Sequence, residues 1–167
     1  MQEVPINEAV SLRFPEQLFL ITTADKDGRA NIMTIAWCML TSFDPYMVAL
    51  SVCKERYTHL LISQNREFTL AFPTVDMKKE VLYCGTHSGR KVDKLKESGL
   101  KVMSAKKVKA PLIEKCNVNL ECKVIGELDT GSNTIFVGEI LVAYVSEHAQ
   151  RALYCFGGDT YGSIRTA

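Results

Sequence analysis

The run ANIMTIAWCMLTSFDP, residues 30–45, decides how the chain is read. It is apolar and strand-like, it ends at a proline corner, and it holds Asn31, Thr34 and the chain's single tryptophan, Trp37. In a regular strand Asn31, Met33, Ile35 and Trp37 share one face while Ile32, Thr34 and Ala36 share the other, so neither face is purely core. Two readings follow. Asn31 can end a hairpin while Trp37 fills a barrel interior, or the polar residues and the indole meet a ligand.

Working outward, LFLITTAD (18–25) is a β-branched, aromatic run, and KDGRA behind it carries the Asp-Gly pair of a hairpin turn. Beyond the SFDP corner, YMVALSVC (46–53) gives a third strand. RYTHLLISQNREF changes to helical spacing, with Thr58 placed to cap it, and EFTLAFP returns to strand until Pro73. From Thr74 onward Met77, Val81 and Cys84 predict a helix that stops at Gly85. THSGRKVDKLKESG reads as a polar loop and a short helix, with Val92 and Leu95 inward and Gly99 as its stop. NVNLECKVIGEL (117–128) alternates, placing Val118, Leu120, Cys122 and Val124 inward and Asn117, Asn119, Glu121 and Lys123 outward. Through the DTGSN turn it pairs with TIFVGEILVAYVSE (134–147), expected to be longer and more buried. Six or more strands with short helices and no βαβ alternation define a mainly β chain, closed or partly split as an antiparallel barrel.

At 167 residues the chain reads as a single domain, 1–167. Its net charge of +1 gives no reason to expect nucleic acid or an anionic membrane surface, and Lys106, Lys107 and Lys109 read as a solvated basic face. No run approaches a membrane span and the first ten residues lack a signal pattern, so the expectation is a cytoplasmic protein. The six cysteines, scattered in apolar segments without a CxxC pair, read as buried thiols. Cys84 and His87 form the one close Cys/His pair, and with no second pair nearby no metal site is expected.

Two further stretches bear on chemistry. SVCKERYTH (51–59) sets Ser51, Arg56 and Thr58 where a strand gives way to a helix, and THSGRKVDK (86–94) sets Thr86, Ser88 and Gly89 ahead of Arg90, Lys91 and Lys94. Hydroxyls, a glycine and cations at helix starts are the components of an anion site.

Taken in order, NIMTIAW, the Ser and Asp-Pro that follow, SV, Arg56 with Thr58-His59, EF, CG, SGR, DK, APLIE, LEC and FVGEI resemble the flavin reductase-like FMN-binding family, which includes flavoredoxin, over roughly residues 15–160. The resemblance implies a Greek-key split β-barrel, a homodimer with the flavin near the subunit interface, and tightly bound FMN. It implies that Asn31 and Thr34 meet the ring edge and ribityl chain and that Trp37 is the aromatic of the flavin site. Ser51, Arg56 and Thr58 fall in its segment near the phosphate, Ser88, Gly89 and Arg90 in its second anion loop, and Lys94 is the lysine of the following helix. Met33, Ala36 and Val52 are grouped with these as cofactor-binding positions.

In that setting the flavin N5 carries the chemistry and no catalytic side chain is required. NAD(P)H is the expected transient co-substrate, in keeping with the absence of a GxGxxG fingerprint. Free flavin, ferric complexes or a protein partner are the expected acceptors. The alternative is a flavoredoxin-like carrier without direct NAD(P)H oxidation. A haem-binding split barrel using His59 or His87 is a weaker one. Two departures from the family pattern are Asn133, where a histidine is frequent, and Tyr46, where the family often has a second proline after Pro45. The apolar strand 134–146 adds modest support for a dimer.

Overall fold

A computed structural model describes residues 1–164. The elements run α1 (Ile6–Ser11), β1 (Glu16–Gln17), β2 (Phe19–Ala24), β3 (Ala30–Ile35), β4 (Cys38–Phe43), β5 (Tyr46–Cys53), α2 (Tyr57–Asn65) and β6 (Glu67–Phe72). A 3-10 turn (Val75–Met77) leads into α3 (Lys78–Thr86) and α4 (Lys94–Ser98), followed by β7 (Val102–Met103), β8 (Leu112–Ile113), β9 (Val118–Thr130), β10 (Asn133–Val145), β11 (Tyr154–Cys155) and β12 (Tyr161–Gly162). Seven strands form one antiparallel sheet in the order β3-β2-β6-β9-β10-β5-β4.

That order settles how the opening run folds. The run is not one strand: it breaks at Ala36-Trp37, and its halves stand at opposite edges of the sheet, β3 on β2 and β4 on β5. A two-residue link cannot span a flat seven-stranded sheet, because neighbouring strands lie about 4.8 Å apart. The sheet must therefore curl until its edges meet, giving a barrel split where β3 hands over to β4. Ile35 faces the barrel interior and Ile32 a second core outside it, whereas Met39, on the far side of the break, is exposed.

The interior core gathers Phe19, Ile21, Val48, Leu50, Phe68, Leu70 and Phe136 from the strands, with Ile62 of α2 inserted among them. The outer core packs Leu18, Leu20 and Ile32 against Met77, Val81 and Cys84 of the 3-10 turn and α3. β2 is thus buried on both faces, Thr22 and Thr23 included. Gly138 in β10 gives room to Phe68, whose ring would lie 2.7 Å from a Cβ built there.

The β9/β10 hairpin forms as expected, but its burial differs. β10 alternates rather than being continuously buried, and Asn119 and Glu121, expected on the solvent side, are buried. The segment 104–113 lies over them. Glu121 accepts from the backbone amides of Lys106, Lys107 and Val108 at 2.8, 2.6 and 3.1 Å and from the Tyr144 hydroxyl at 2.5 Å. Asn119 exchanges two hydrogen bonds with the Ile113 backbone, and Thr22 and Thr69 donate to Pro111 and Ala110 carbonyls. The lysine cluster is thus held through its main chain. All six cysteines are free thiols, and no metal-binding group of His, Cys, Asp and Glu occurs among the described residues. Among the described residues no helix is long and apolar enough to cross a membrane.

Candidate functional site

Three depressions of about 320, 220 and 330 Å³ run into one another along the seam between β3, β5, α2 and the α3–α4 loop. The first two share Met33, Cys53 and Arg56, and the last two share Glu16, Ala36, Trp37 and Ser51, so the three form one trough. The strand break at Ala36-Trp37 lies in its wall. The feature that splits the barrel also opens the site.

One end is polar and cationic, lined by Asn31, Arg56, Thr58, Ser88, Gly89 and Lys94. The structure therefore brings Arg56 and Thr58 of one segment and Ser88, Gly89 and Lys94 of the other to the same depression. Lys94 is only 5% exposed, and its Nζ donates to the Cys84 carbonyl at 2.8 Å. Burial pulls its ammonium down to about 8; the nearby Cys84 opposes this and the Arg56 charge adds to it. Arg56 is exposed and makes no salt bridge among the described residues.

Several local expectations change. Thr58 does not cap α2: Arg56 occupies the cap position, and the Thr58 hydroxyl accepts from Asn31 Nδ2 at 2.9 Å. Asn31 also reaches Thr23 Oγ1 at 3.3 Å, so its amide ties β3 to β2 and α2. That places Asn31 at the cationic end, away from Trp37. Its carbonyl oxygen is buried without a partner among the described residues and abuts Gly89, where a Cβ would lie 2.1 Å away. Only glycine fits there. Ser88 to Lys91 form a turn rather than a helix start, since α4 begins at Lys94 with Asp93 as its cap. Arg90 donates to the Glu55 carbonyl at 3.0 Å and lies over the Tyr57 ring, outside the trough lining. α3 continues through Gly85 to Thr86, and Gly85 lets it approach Thr34, whose Cβ would be 3.3 Å from an added Cβ.

The middle of the trough is lined by Met33, Thr34, Ser51, Val52 and Asn133. Thr34 donates to the Val81 carbonyl at 2.5 Å, fastening β3 to α3. Asn133 donates to Ser51 Oγ at 3.0 Å, which leaves the Ser51 hydroxyl proton free. Val52 and Met33 have their side chains in the barrel core. The far end is apolar, walled by Ala36, Trp37, Cys38, Met39, Ala49, Leu50 and Ile135. Trp37 is 51% exposed, so it does not fill the barrel. Tyr46 pairs with Phe43 at the β4–β5 turn and packs edge-on against it, at the opposite end of that hairpin from Trp37 and outside the lining of the trough.

Sequence reasoning missed Arg13 and Glu16, which reach the trough from the segment before β2. No spacing signal links them to Trp37, because the contact depends on where β1 docks. His87 and Tyr57 also line the cationic end. His87 stacks on Tyr83, and His59 bonds Thr134 Oγ1 at 2.8 Å.

The trough, cationic at one end and aromatic at the other, opens where the barrel splits. The flavin reductase-like domain matches residues 11–165, and the chain belongs to that family. It is similar to an uncharacterized protein of Archaeoglobus fulgidus, 41% identical over 77% of this chain and 71% of that protein. A ferric-chelate reductase (NAD(P)H) of the same organism is 25% identical over 82% of this chain and 80% of its own length. Among solved structures, flavoredoxin from Methanosarcina acetivorans superposes with a TM-score of 0.87 at 32% identity, covering 100% of this chain and 94% of that one.

Proposed function

We propose that the chain is an FMN-binding flavoprotein acting as an NAD(P)H-dependent reductase. The observation that carries this reading is the polarity of the trough. At one end lie Lys94 and Arg56, with no carboxylate paired to either among the described residues; at the other lies an apolar slot beside an indole. A phosphate suits the first and a planar ring system the second. The fit is supported by Gly89, whose missing side chain keeps the cationic end open, and by hydroxyls placed between the two ends.

Lys94 and Arg56 would hold the phosphate by charge-assisted hydrogen bonds. Thr58, already accepting from Asn31, keeps its own proton to donate there, and Ser51 has the same freedom along the ribityl stretch. Trp37 and Ala36 would wall the ring and keep water from one face. When bound, FMN supplies hydride and electron transfer through its own ring. No acid or base from the chain is needed.

Dimerisation is part of this reading. Met39, Leu40, Phe43 and Tyr46 are exposed along the β4–β5 hairpin, and Met39 lines the ring end. A second copy on this edge would remove apolar surface from water and cover the ring end. The ferric-chelate reductase relative supports a small ferric complex as acceptor. Likeness to flavoredoxin supports a second reading, an electron carrier reduced by a protein donor. Anaerobic addition of NADH or NADPH separates them. Bleaching of bound flavin by either is the expected result, and no bleaching with both would leave the carrier.

A further inference from the structure

From the segment that precedes β2, Arg13 lines the middle of the trough and Glu16 lines both the middle and the ring end, and neither belongs to a motif of the anion clusters. Glu16 Oε1 accepts from Arg13 Nε at 2.8 Å and from the Trp37 indole N–H at 3.2 Å, while Oε2 accepts from an Arg13 Nη at 3.2 Å. The Arg13 guanidinium lies 4.6 Å from the Phe14 ring centre and 5.9 Å from that of Trp37. Glu16 is set by the backbone pairing of β1 with β11, where it sits opposite Cys155. Trp37, by contrast, belongs to no strand and is half exposed. Its ring has one polar atom, a donor, and Glu16 occupies it.

Charge leads to the same place. Glu16 is the one charged residue lining the apolar depression, and beside it Arg13 is neutralised by a two-point contact. The cations at the other end, Lys94 and Arg56, have no such partner among the described residues.

We propose that Glu16 is a positioning residue of this site: it fixes the Trp37 indole through its ring N–H and cancels the charge of Arg13, so that the ring end presents a fixed and neutral aromatic wall. The proposal rests on the flavin reading of the trough. Loss of the anchor lets the indole swing into solvent. Loss of only the charge leaves Arg13 uncompensated beside the ring, where a cation favours the reduced, more anionic cofactor.

The test uses the full chain, in which Trp37 is the sole tryptophan and all indole emission is its own. In flavin-free protein, Glu16→Ala should raise acrylamide quenching of that emission by up to about twofold, the ring being already half exposed, while Glu16→Gln, which keeps an acceptor oxygen, should stay near wild type. FMN affinity should fall about 2- to 10-fold in Glu16→Ala, the size of one hydrogen bond. In a Trp37→Phe background the same change should have less than about a twofold effect, because the N–H is gone. Glu16→Gln should move the bound-flavin potential to more positive values, and Arg13→Gln added to it should return the potential. An equal affinity loss in the Phe background, unchanged acrylamide quenching in Glu16→Ala, or an unmoved potential in Glu16→Gln would overturn the proposal. If wild-type protein binds no flavin yet Trp37 still responds to Glu16→Ala, the flavin reading fails while the anchor stands.

Discussion

Replacing Lys94 with methionine, and titrating the wild type, tests where the anion lies. The lysine is nearly sealed in the cationic end, with its Nζ on the Cys84 carbonyl. In the ligand-free chain burial takes its ammonium from 10.5 to about 8, opposed by Cys84 and reinforced by Arg56. Burial pushes the Cys84 thiol up to about 11. A phosphate is dianionic above about pH 6 and favours the charged lysine, so its arrival raises the lysine pKa. Above about pH 8, then, each binding event takes up a proton. FMN affinity should be flat from about pH 7 to 8 and weaken by up to about tenfold per unit beyond. Lys94→Met keeps the stem but removes a charge-assisted bond worth about 1.5–3 kcal/mol, roughly 10- to 150-fold in Kd at neutral pH, and should abolish the slope. Folding runs by the same linkage: the unfolded lysine holds its proton more tightly, so ligand-free stability rises with pH from about 8 toward 10.5. Fluorescence titration with FMN, and with riboflavin, which lacks the phosphate, is the assay. A wild-type FMN affinity independent of pH up to about 9.5, or an equal loss of riboflavin binding in Lys94→Met, would refute the placement.

Other residues give sharper local outcomes. Gly89→Ala puts a Cβ 2.1 Å from Asn31 Oδ1, so the turn must shift at about 1–3 kcal/mol in thermal or urea unfolding, and FMN binding should fall with it. Glu121→Gln should cost about 1.5–3 kcal/mol in urea, by loss of charge-assisted bonds to the 104–113 segment, and leave FMN affinity unchanged. Burial raises the Glu121 carboxyl, but the Tyr144 hydroxyl and three amides outweigh it and hold it below the usual range. Its contribution is therefore present above the ordinary glutamate pKa and is lost as pH falls through the depressed value. Phe43→Asp on the exposed β4 edge should convert a dimer to monomer in sedimentation velocity without unfolding the barrel, and a wild type that sediments as a monomer would remove that edge as an interface.

Much of this architecture is legible in the chain because strands announce themselves by alternation and by their turns. The KDGRA and DTGSN hairpins, the αL stop at Gly99, and the Met77, Val81 and Cys84 stripe fall where residue chemistry places them. The break at Ala36-Trp37 was not legible: both halves are good strand, and a period of two says nothing about which neighbour each half pairs with. Asn119 and Glu121 looked solvent-facing for a similar reason. Their face is polar, but the segment covering it binds through its backbone, which leaves no side-chain signature. At the site, the clustering of Arg56, Thr58, Ser88, Gly89 and Lys94 was readable from hydroxyls and cations near helix starts. The burial of Lys94, the outward turn of Arg90 and the approach of Glu16 to Trp37 depend on docking between distant segments.

The most direct measurement is the absorption of the purified protein, followed by FMN titration of Trp37 emission. FMN seated in the trough predicts a flavin spectrum, about one FMN released per chain on denaturation, and strong quenching of the single indole when FMN is returned to the flavin-free protein. A colourless protein whose Trp37 emission ignores added FMN would contradict it.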